Sequence, residues 1–274
     1  MTAQNQNLLW RVVTALVGLP LVVWLIVLGG WPFAILLALA AGLGAREFYG
    51  MALGEKNSAA AAIGAIAAAL LPIAALLAWQ AFSIAAVASI AVIAFFIERL
   101  LAIDHEDAEA LRDAPRRVAL GLFGCLYPGL LLSTLVLLRA KGPFWVVLAL
   151  TATWANDTGA YFAGRAFGRV KLYPKISPAK TWEGAVGGLL AAVAGALVVQ
   201  HFWLVAELPV AMAVLIGAGA SVLGPLGDLS ESMLKRAFGA KDSSHLLPGH
   251  GGVLDRVDAL LFVAPFVLLV ANLL

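Results

Sequence analysis

The sequence predicts an all-α polytopic membrane protein with about nine transmembrane helices, its N-terminus cytoplasmic and its C-terminus external. Three observations carry this expectation. Hydrophobic residues make up 62% of the 274 residues and charged residues only 12%, where a soluble domain has about 25% charged. Mean hydropathy is +0.96, which excludes an ordinary water-soluble fold. The few Lys and Arg fall almost entirely in alternate loops.

The spans follow in chain order. Residues 12–45 carry no charge. As one helix they would be about 51 Å long, too long for a hydrocarbon core of roughly 30 Å. Gly29-Gly30-Trp31-Pro32 divides them into two spans. Arg11 before an apolar run imitates a signal peptide, but no A-x-A-like cleavage site follows, so the run reads as span one. Residues 57–97 are also uncharged and divide at Trp79-Gln80 into spans three and four. Spans five to nine cover 118–138, 143–163, 184–205, 208–227 and 258–274. The Ala-rich stretch 59–70 suits close helix packing. Residues 98–117 read as a solvated connector or a surface helix, and 164–181 and 234–257 as long loops. In domain terms, residues 1–140 hold spans one to five. Residues 141–274 hold spans six to nine with their motif loops, the whole forming one integrated membrane domain.

Orientation follows from the basic residues. With the N-terminus inside, the outward loops hold only Arg139 and Lys141, and the other sixteen of eighteen Lys and Arg face the cytoplasm. A net charge of +2 gives no reason to expect nucleic acid as a partner. The single cysteine, Cys125, lies in an apolar run and excludes both an intrachain disulfide and a Cys-based metal site.

Ionisable groups within spans are costly and usually functional. Asp157 lies in span six, Asp228 ends span eight, and Asp255 and Asp258 begin span nine. Three separate helices thus bring carboxylates to a similar depth near the cytoplasmic face. A helix-end charge would account for Asp228 or Asp258 alone, but not for the coincidence of all three groups. Asp228, Glu231, Ser232 and Lys235 share one helical face. Asp, Glu and Ser oxygens suit a hard cation such as Mg²⁺, completed by substrate phosphate. Gly224-Pro225-Leu226-Gly227 is expected to kink or open the helix before Asp228. A basic belt surrounds these acids: Lys235, Arg236, Lys241, and His250-Gly251-Gly252 before Asp255-Arg256. A second segment, SPAKTWEG at 177–184, opens span seven. Glycines admit backbone N–H groups to phosphates, and Lys and Arg offset their charge. His250 reads equally as a substrate contact or as a turn stabiliser. There is no H-E-x-x-H, G-x-S-x-G or Walker motif.

The run SMLKRAFGAKDSSHLLPGHGGVLDRVD at 232–258 resembles the signature of the phosphatidate cytidylyltransferases, or CDP-diacylglycerol synthases. The elements S-x-x-K-R, K-D, P-G-H-G-G and D-R-x-D are all present without a gap. The segments NDTGAY at 156–161 and SPAKTWEG are also similar to that family. The resemblance implies nucleotidyl transfer: a phosphate oxygen of phosphatidate attacks the α-phosphorus of CTP, releasing pyrophosphate and forming CDP-diacylglycerol. It implies Mg²⁺, with K⁺ as a second cation, held by Asp228, Ser232, Asp255 and Asp258. It implies Asp228, Asp255, Lys235 and Arg256 as catalytic groups. Substrate contacts would come from Asp157, Lys175, Ser177, Lys180, Arg236, Lys241, His250, Gly251 and Gly252. It further implies a homodimer in a bacterial inner membrane, its site open to cytoplasmic CTP and to phosphatidate and membrane lipid of the inner leaflet.

Two other readings stay open on the sequence. A cation-coupled secondary transporter also has buried acids and a broken helix, but needs a midplane site reached from both faces. A CTP-dependent polyprenol or phytol kinase could use the same belt.

The basic-residue split generates a topology test. Single cysteines at Lys175 and Lys241, in a Cys125→Ser background, are expected to resist an impermeant thiol reagent on intact cells. Cysteines at Glu207 and Leu274 are expected to react. Labelling at 175 from outside would invert the orientation.

Overall fold

The structure is a computed structural model that describes residue 16 and residues 18–54, 58–77, 80–102, 108–244, 246 and 251–274. The sequence expectations that fall on Arg11, Trp79 and His250 lie outside the described residues.

Among the described residues the chain forms nine helices and one hairpin. The helices are α1 Gly18–Leu28, α2 Gly30–Ala52, α3 Ala59–Leu76, α4 Gln80–Ala102 and α5 Ala108–Lys141, followed by α6 Pro143–Phe167. Strands β1 Lys171–Tyr173 and β2 Ser177–Thr181 come next, then α7 Trp182–Trp203, α8 Val210–Ala237 and α9 Leu254–Leu273. Six of them, α2 to α5, α7 and α8, are long and apolar enough to cross a bilayer. The protein is therefore an all-α, multi-pass membrane protein. Helices α6 and α9, which carry Asp157 and the Asp255–Asp258 pair, are outside that six.

Local chemistry sets the helix ends. Gly29 and Gly30 adopt φ of 63° and 53°, a region that glycine enters without the Cβ penalty, and α1 gives way to α2 there. The Ser58 hydroxyl caps α3 by accepting from the Ala61 N–H at 3.2 Å. Pro143 opens α6, where its missing N–H costs nothing. Thr181 caps α7 by accepting from the Gly184 N–H at 3.1 Å.

Three expectations about loops are corrected. The expected connector 98–117 is largely helix: α4 runs to Ala102 and α5 already begins at Ala108. Its charges pair along the helix, Asp113 lying 3.2 Å from Arg116 and 3.1 Å from Arg117. Helix α8 continues unbroken through Pro225 to Ala237, so the loop expected from 234 starts later, and Asp228, Ser232 and Lys235 share one helix as their spacing predicts. The loop 164–181 contains the hairpin, antiparallel, with Lys171 opposite Thr181, Tyr173 opposite Ser177 and an irregularity between. Glu183 closes it by accepting from the Val170 N–H at 3.3 Å, while the Trp182 N–H donates to the Val170 carbonyl at 3.0 Å. Pro174 and Pro178 mask these strands in the sequence.

The chain divides into two compact units. The first comprises Met1–Val136 with Asp242–Arg256, and the second Leu137–Lys241 with Val257–Leu274. In the first, the Tyr49 hydroxyl of α2 donates to the Gly121 carbonyl of α5 at 2.6 Å. A Cβ at Gly64 would fall 1.9 Å from that hydroxyl oxygen, and one at Gly124 2.5 Å from the Tyr49 ring. Only Ala91 and Phe95 of α4 are buried, and Leu100 and Leu101 are 75% and 83% exposed, as lipid-facing residues should be. In the second unit α6, α7 and α8 meet through small residues. A Cβ at Gly187 would lie 2.9 Å from the Gly159 carbonyl oxygen. One at Gly217 would lie 2.5 Å from the Val193 Cα. Without hydrophobic drive between helices in lipid, such close backbone approach supplies much of the packing.

Replacing Gly217 by Leu therefore forces α8 away from α7. It is expected to destabilise detergent-purified protein by about 1–3 kcal/mol, read as a lower melting temperature. Gly18→Leu, where a Cβ meets nothing within 4 Å, is the control and should melt like the parent.

Candidate active site

The second unit contains a cavity of about 430 Å³. Helix α6 lines it with Asn156, Asp157, Tyr161 and Arg165, strand β2 and the start of α7 with Lys180, Thr181, Gly184 and Ala185, and α8 with Pro225 and Asp228. The two motif segments NDTGAY and SPAKTWEG thus form opposite walls of one cavity. Glycine makes this possible: a Cβ at Gly184 would come within 2.9 Å of the Ala160 carbonyl oxygen.

Lys180 is the centre of its electrostatics. Its Nζ lies 2.7 Å from Asp228 Oδ2 and donates to the Pro225 carbonyl at 3.4 Å. The Ser232 hydroxyl donates to Asp228 Oδ1 at 3.2 Å, one helical turn on. Asn156 donates through Nδ2 to Asp157 Oδ1 at 3.4 Å. Asp157, Asp228 and Asp258 are near enough for their charges to interact, and Asp258 also feels Lys235. Lys235 itself pairs with Glu231, which is wholly buried on the same helix. The Arg165 guanidinium donates to the Tyr161 hydroxyl at 3.0 Å at the cavity wall.

These residues fit a hard cation. Three carboxylates interact, Asp157 and Asp228 with Lys180 and Asp258 with Lys235, and every donor is a carboxylate or hydroxyl oxygen. Among the described residues no three Asp, Glu, His or Cys side chains form a ready-made cage. Mg²⁺ needs none, since it commonly takes one or two carboxylates and completes its shell with water and substrate phosphate.

The first unit holds the rest of the motif loop. Asp255 Oδ2 accepts from the Ser243 N–H at 3.0 Å, the Ser243 hydroxyl at 2.8 Å and the Gly252 N–H at 2.8 Å. Gly251 has φ of 79°, and a Cβ there would lie 2.8 Å from Asp255 Oδ2. Glu47 of α2 reaches the same loop and is treated below. Arg256 is exposed, as is Lys241, the last residue of this stretch of the second unit.

Of the expected residues, then, Asp157, Lys180 and Asp228 line one cavity, Ser232 is bonded to Asp228, and Asp258 lies within electrostatic reach. Gly251, Gly252 and Asp255 cluster in the first unit. Lys175 is exposed between β1 and β2, Ser177 opens β2, Arg236 is exposed near the end of α8, and none of the three lines the cavity.

A sequence model of the cytidylyltransferase family matches residues 9–274. The chain belongs to that family. It is 48% identical over 128 residues to a protein of Haemophilus influenzae named phosphatidate cytidylyltransferase, covering 46% of this chain and 44% of that protein. Likenamed proteins of Brucella suis and Bacillus subtilis are 50% identical over 149 residues and 49% over 127. Those matches cover 52% and 46% of this chain, and 53% and 46% of the respective relatives. The chain thus spans about half the length of the curated relatives it matches.

Sequence reasoning passed over Arg165 and Glu47. Arg165 had a signal, one helical turn after Tyr161 in a recognised motif segment. Glu47 had almost none, for a carboxylate beside Arg46 at the end of an apolar run looks like a helix-end charge.

Proposed function

We propose that this protein is a phosphatidate cytidylyltransferase. The observation that carries the reading is the Lys180–Asp228 pair inside a cavity walled by the two family motif segments. A volume of about 430 Å³ suits a small-molecule ligand. One phosphate oxygen of phosphatidate attacks the α-phosphorus of CTP, a new P–O bond forms, the α–β bridging bond breaks, and pyrophosphate leaves with its electron pair. The attacking phosphate is already ionised, so no dedicated general base is required. Lys180 holds phosphate oxygens and offsets charge as the bridging bond breaks, and Lys235 and Arg256 act likewise. Asp157, Lys175, Ser177, Arg236, Lys241, His250, Gly251 and Gly252 orient the substrates, and Asp255 is a catalytic carboxylate. Asp228, Ser232 and Asp258 would hold Mg²⁺, with K⁺ as a second cation; Asp255, expected as a further ligand, has its Oδ2 engaged by Ser243 and Gly252 of the motif loop. Bound Mg²⁺ would neutralise the triphosphate and the departing pyrophosphate. Catalysis of this kind rests on positioning and charge stabilisation. The site faces the cytoplasm of a bacterial inner membrane, because CTP is soluble and the lipid arrives sideways from the inner leaflet.

The assay is purified protein with CTP, Mg²⁺ and phosphatidate, expected to yield CDP-diacylglycerol and pyrophosphate one for one, and nothing in EDTA. Full turnover in chelator would remove the metal, and phosphorylation of a polyprenol with CDP release would replace the reaction by a kinase. Lys180→Ala is expected to lower activity by about tenfold or more, a charge-assisted contact being worth about 1.5–3 kcal/mol. Lys141, which donates to the Ala271 carbonyl at 2.7 Å away from the cavity, should tolerate Ala with little loss. Equal losses at 141 and 180 would show that the Lys180 contact is not specific. Asp255→Asn should cost about a hundredfold in rate with an unchanged melting temperature.

A further inference from the structure

Glu47 lies in α2, almost 200 residues before the motif loop in sequence, yet it is only 4% exposed and entirely engaged with that loop. Its Oε1 accepts from the Ser244 hydroxyl at 2.6 Å and the Val253 N–H at 2.9 Å. Its Oε2 accepts from the Ser243 hydroxyl at 3.0 Å and the Leu254 N–H at 2.8 Å. Two of these donors are main-chain groups at the start of α9, where a helix favours negative charge. A buried carboxylate with two donors on each oxygen is well matched, and leaving such donors unpaired is costly.

The same loop carries Asp255, and Ser243 joins the two acids. Its hydroxyl lies 3.0 Å from Glu47 Oε2 and 2.8 Å from Asp255 Oδ2. One hydroxyl hydrogen serves one of these oxygens at a time, so the position of each carboxylate depends on the other. Gly252 is packed into the junction: a Cβ there would fall 1.9 Å from Ser243 Oγ and 2.5 Å from Glu47 Oε2.

We infer that Glu47 is a positioning residue: its carboxylate clasps Ser243, Ser244, Val253 and Leu254 from α2 and thereby fixes Gly251, Gly252 and Asp255 for the transfer step. The inference rests on the proposed reaction for its catalytic consequence, though not for the clasp. Chemistry dictates a carboxylate of this length. A glutamine would turn its NH₂ group toward two of the donors, and an aspartate is one methylene short of reaching them.

The test uses full-length protein in lipid nanodiscs with the variants Glu47→Gln, Glu47→Asp and Ser244→Ala. Hydrogen exchange at the Val253 and Leu254 amides is read beside kcat, KM for CTP and melting temperature. Glu47→Gln is expected to speed exchange at both amides and to lower kcat by about tenfold, with KM changed by less than about threefold. Glu47→Asp should not restore either. Ser244→Ala removes one donor of four and should give a smaller change in the same direction, which keeps the test decisive if the Gln variant fails to fold. In an Asp255→Asn background, Glu47→Gln should lower kcat by less than about twofold, because residues that act as a unit are not additive. Unchanged amide exchange in Glu47→Gln, or a full additive loss in the Asp255→Asn background, would overturn the inference. Faster exchange in a protein whose wild type makes no CDP-diacylglycerol would sink the reaction and leave the clasp standing.

Discussion

A charge set among apolar helices must find its partner inside the protein, and most of this structure's polar detail follows from that constraint. Asp228 meets Lys180 at 2.7 Å, Glu231 meets Lys235 on the same helix, and Glu47 collects two hydroxyls and two main-chain N–H groups. The Asp228 and Glu47 solutions bring a distant piece of chain to a carboxylate, and the Glu231 one uses a neighbour one helical turn on. The acids are therefore organisers of the fold as well as candidate reactive groups.

Backbone proximity is the second requirement, and glycine meets it. Close approach at Gly187 and Gly217 lets α6, α7 and α8 meet with little side chain between them. Gly184 then brings the start of α7 against α6, setting Lys180 beside Asp157 and Asp228 in one cavity. A bulkier seam would widen the cavity and separate the lysine from its acids. Helix packing and site geometry are in that sense the same set of contacts.

The signature 232–258 is continuous in sequence but divided in structure. Residues 232–241 belong to the second unit, where α8 holds Ser232, Lys235 and Arg236. Residues 242–256 belong to the first, held by Glu47 and by the internal bonds of Asp255. Its parts therefore depend on different neighbours.

By itself the sequence determined the membrane class, the break at Gly29, the division between α3 and α4, and the motif segments, two of which line the cavity. These are legible because hydropathy, charge and glycine act locally: a run of apolar residues must be long enough to cross lipid whatever surrounds it. The hairpin at 171–181 and the helical start of α5 were not legible. Short strands with two prolines leave no alternation to read, and charges spaced for helical pairing look the same in a loop. Only the tertiary structure decided that Lys180 faces Asp228 and that Glu47 holds the motif loop. Both pairings join residues far apart in the chain, and which distant partner satisfies a buried carboxylate depends on how the helices pack, not on either residue's neighbours in sequence.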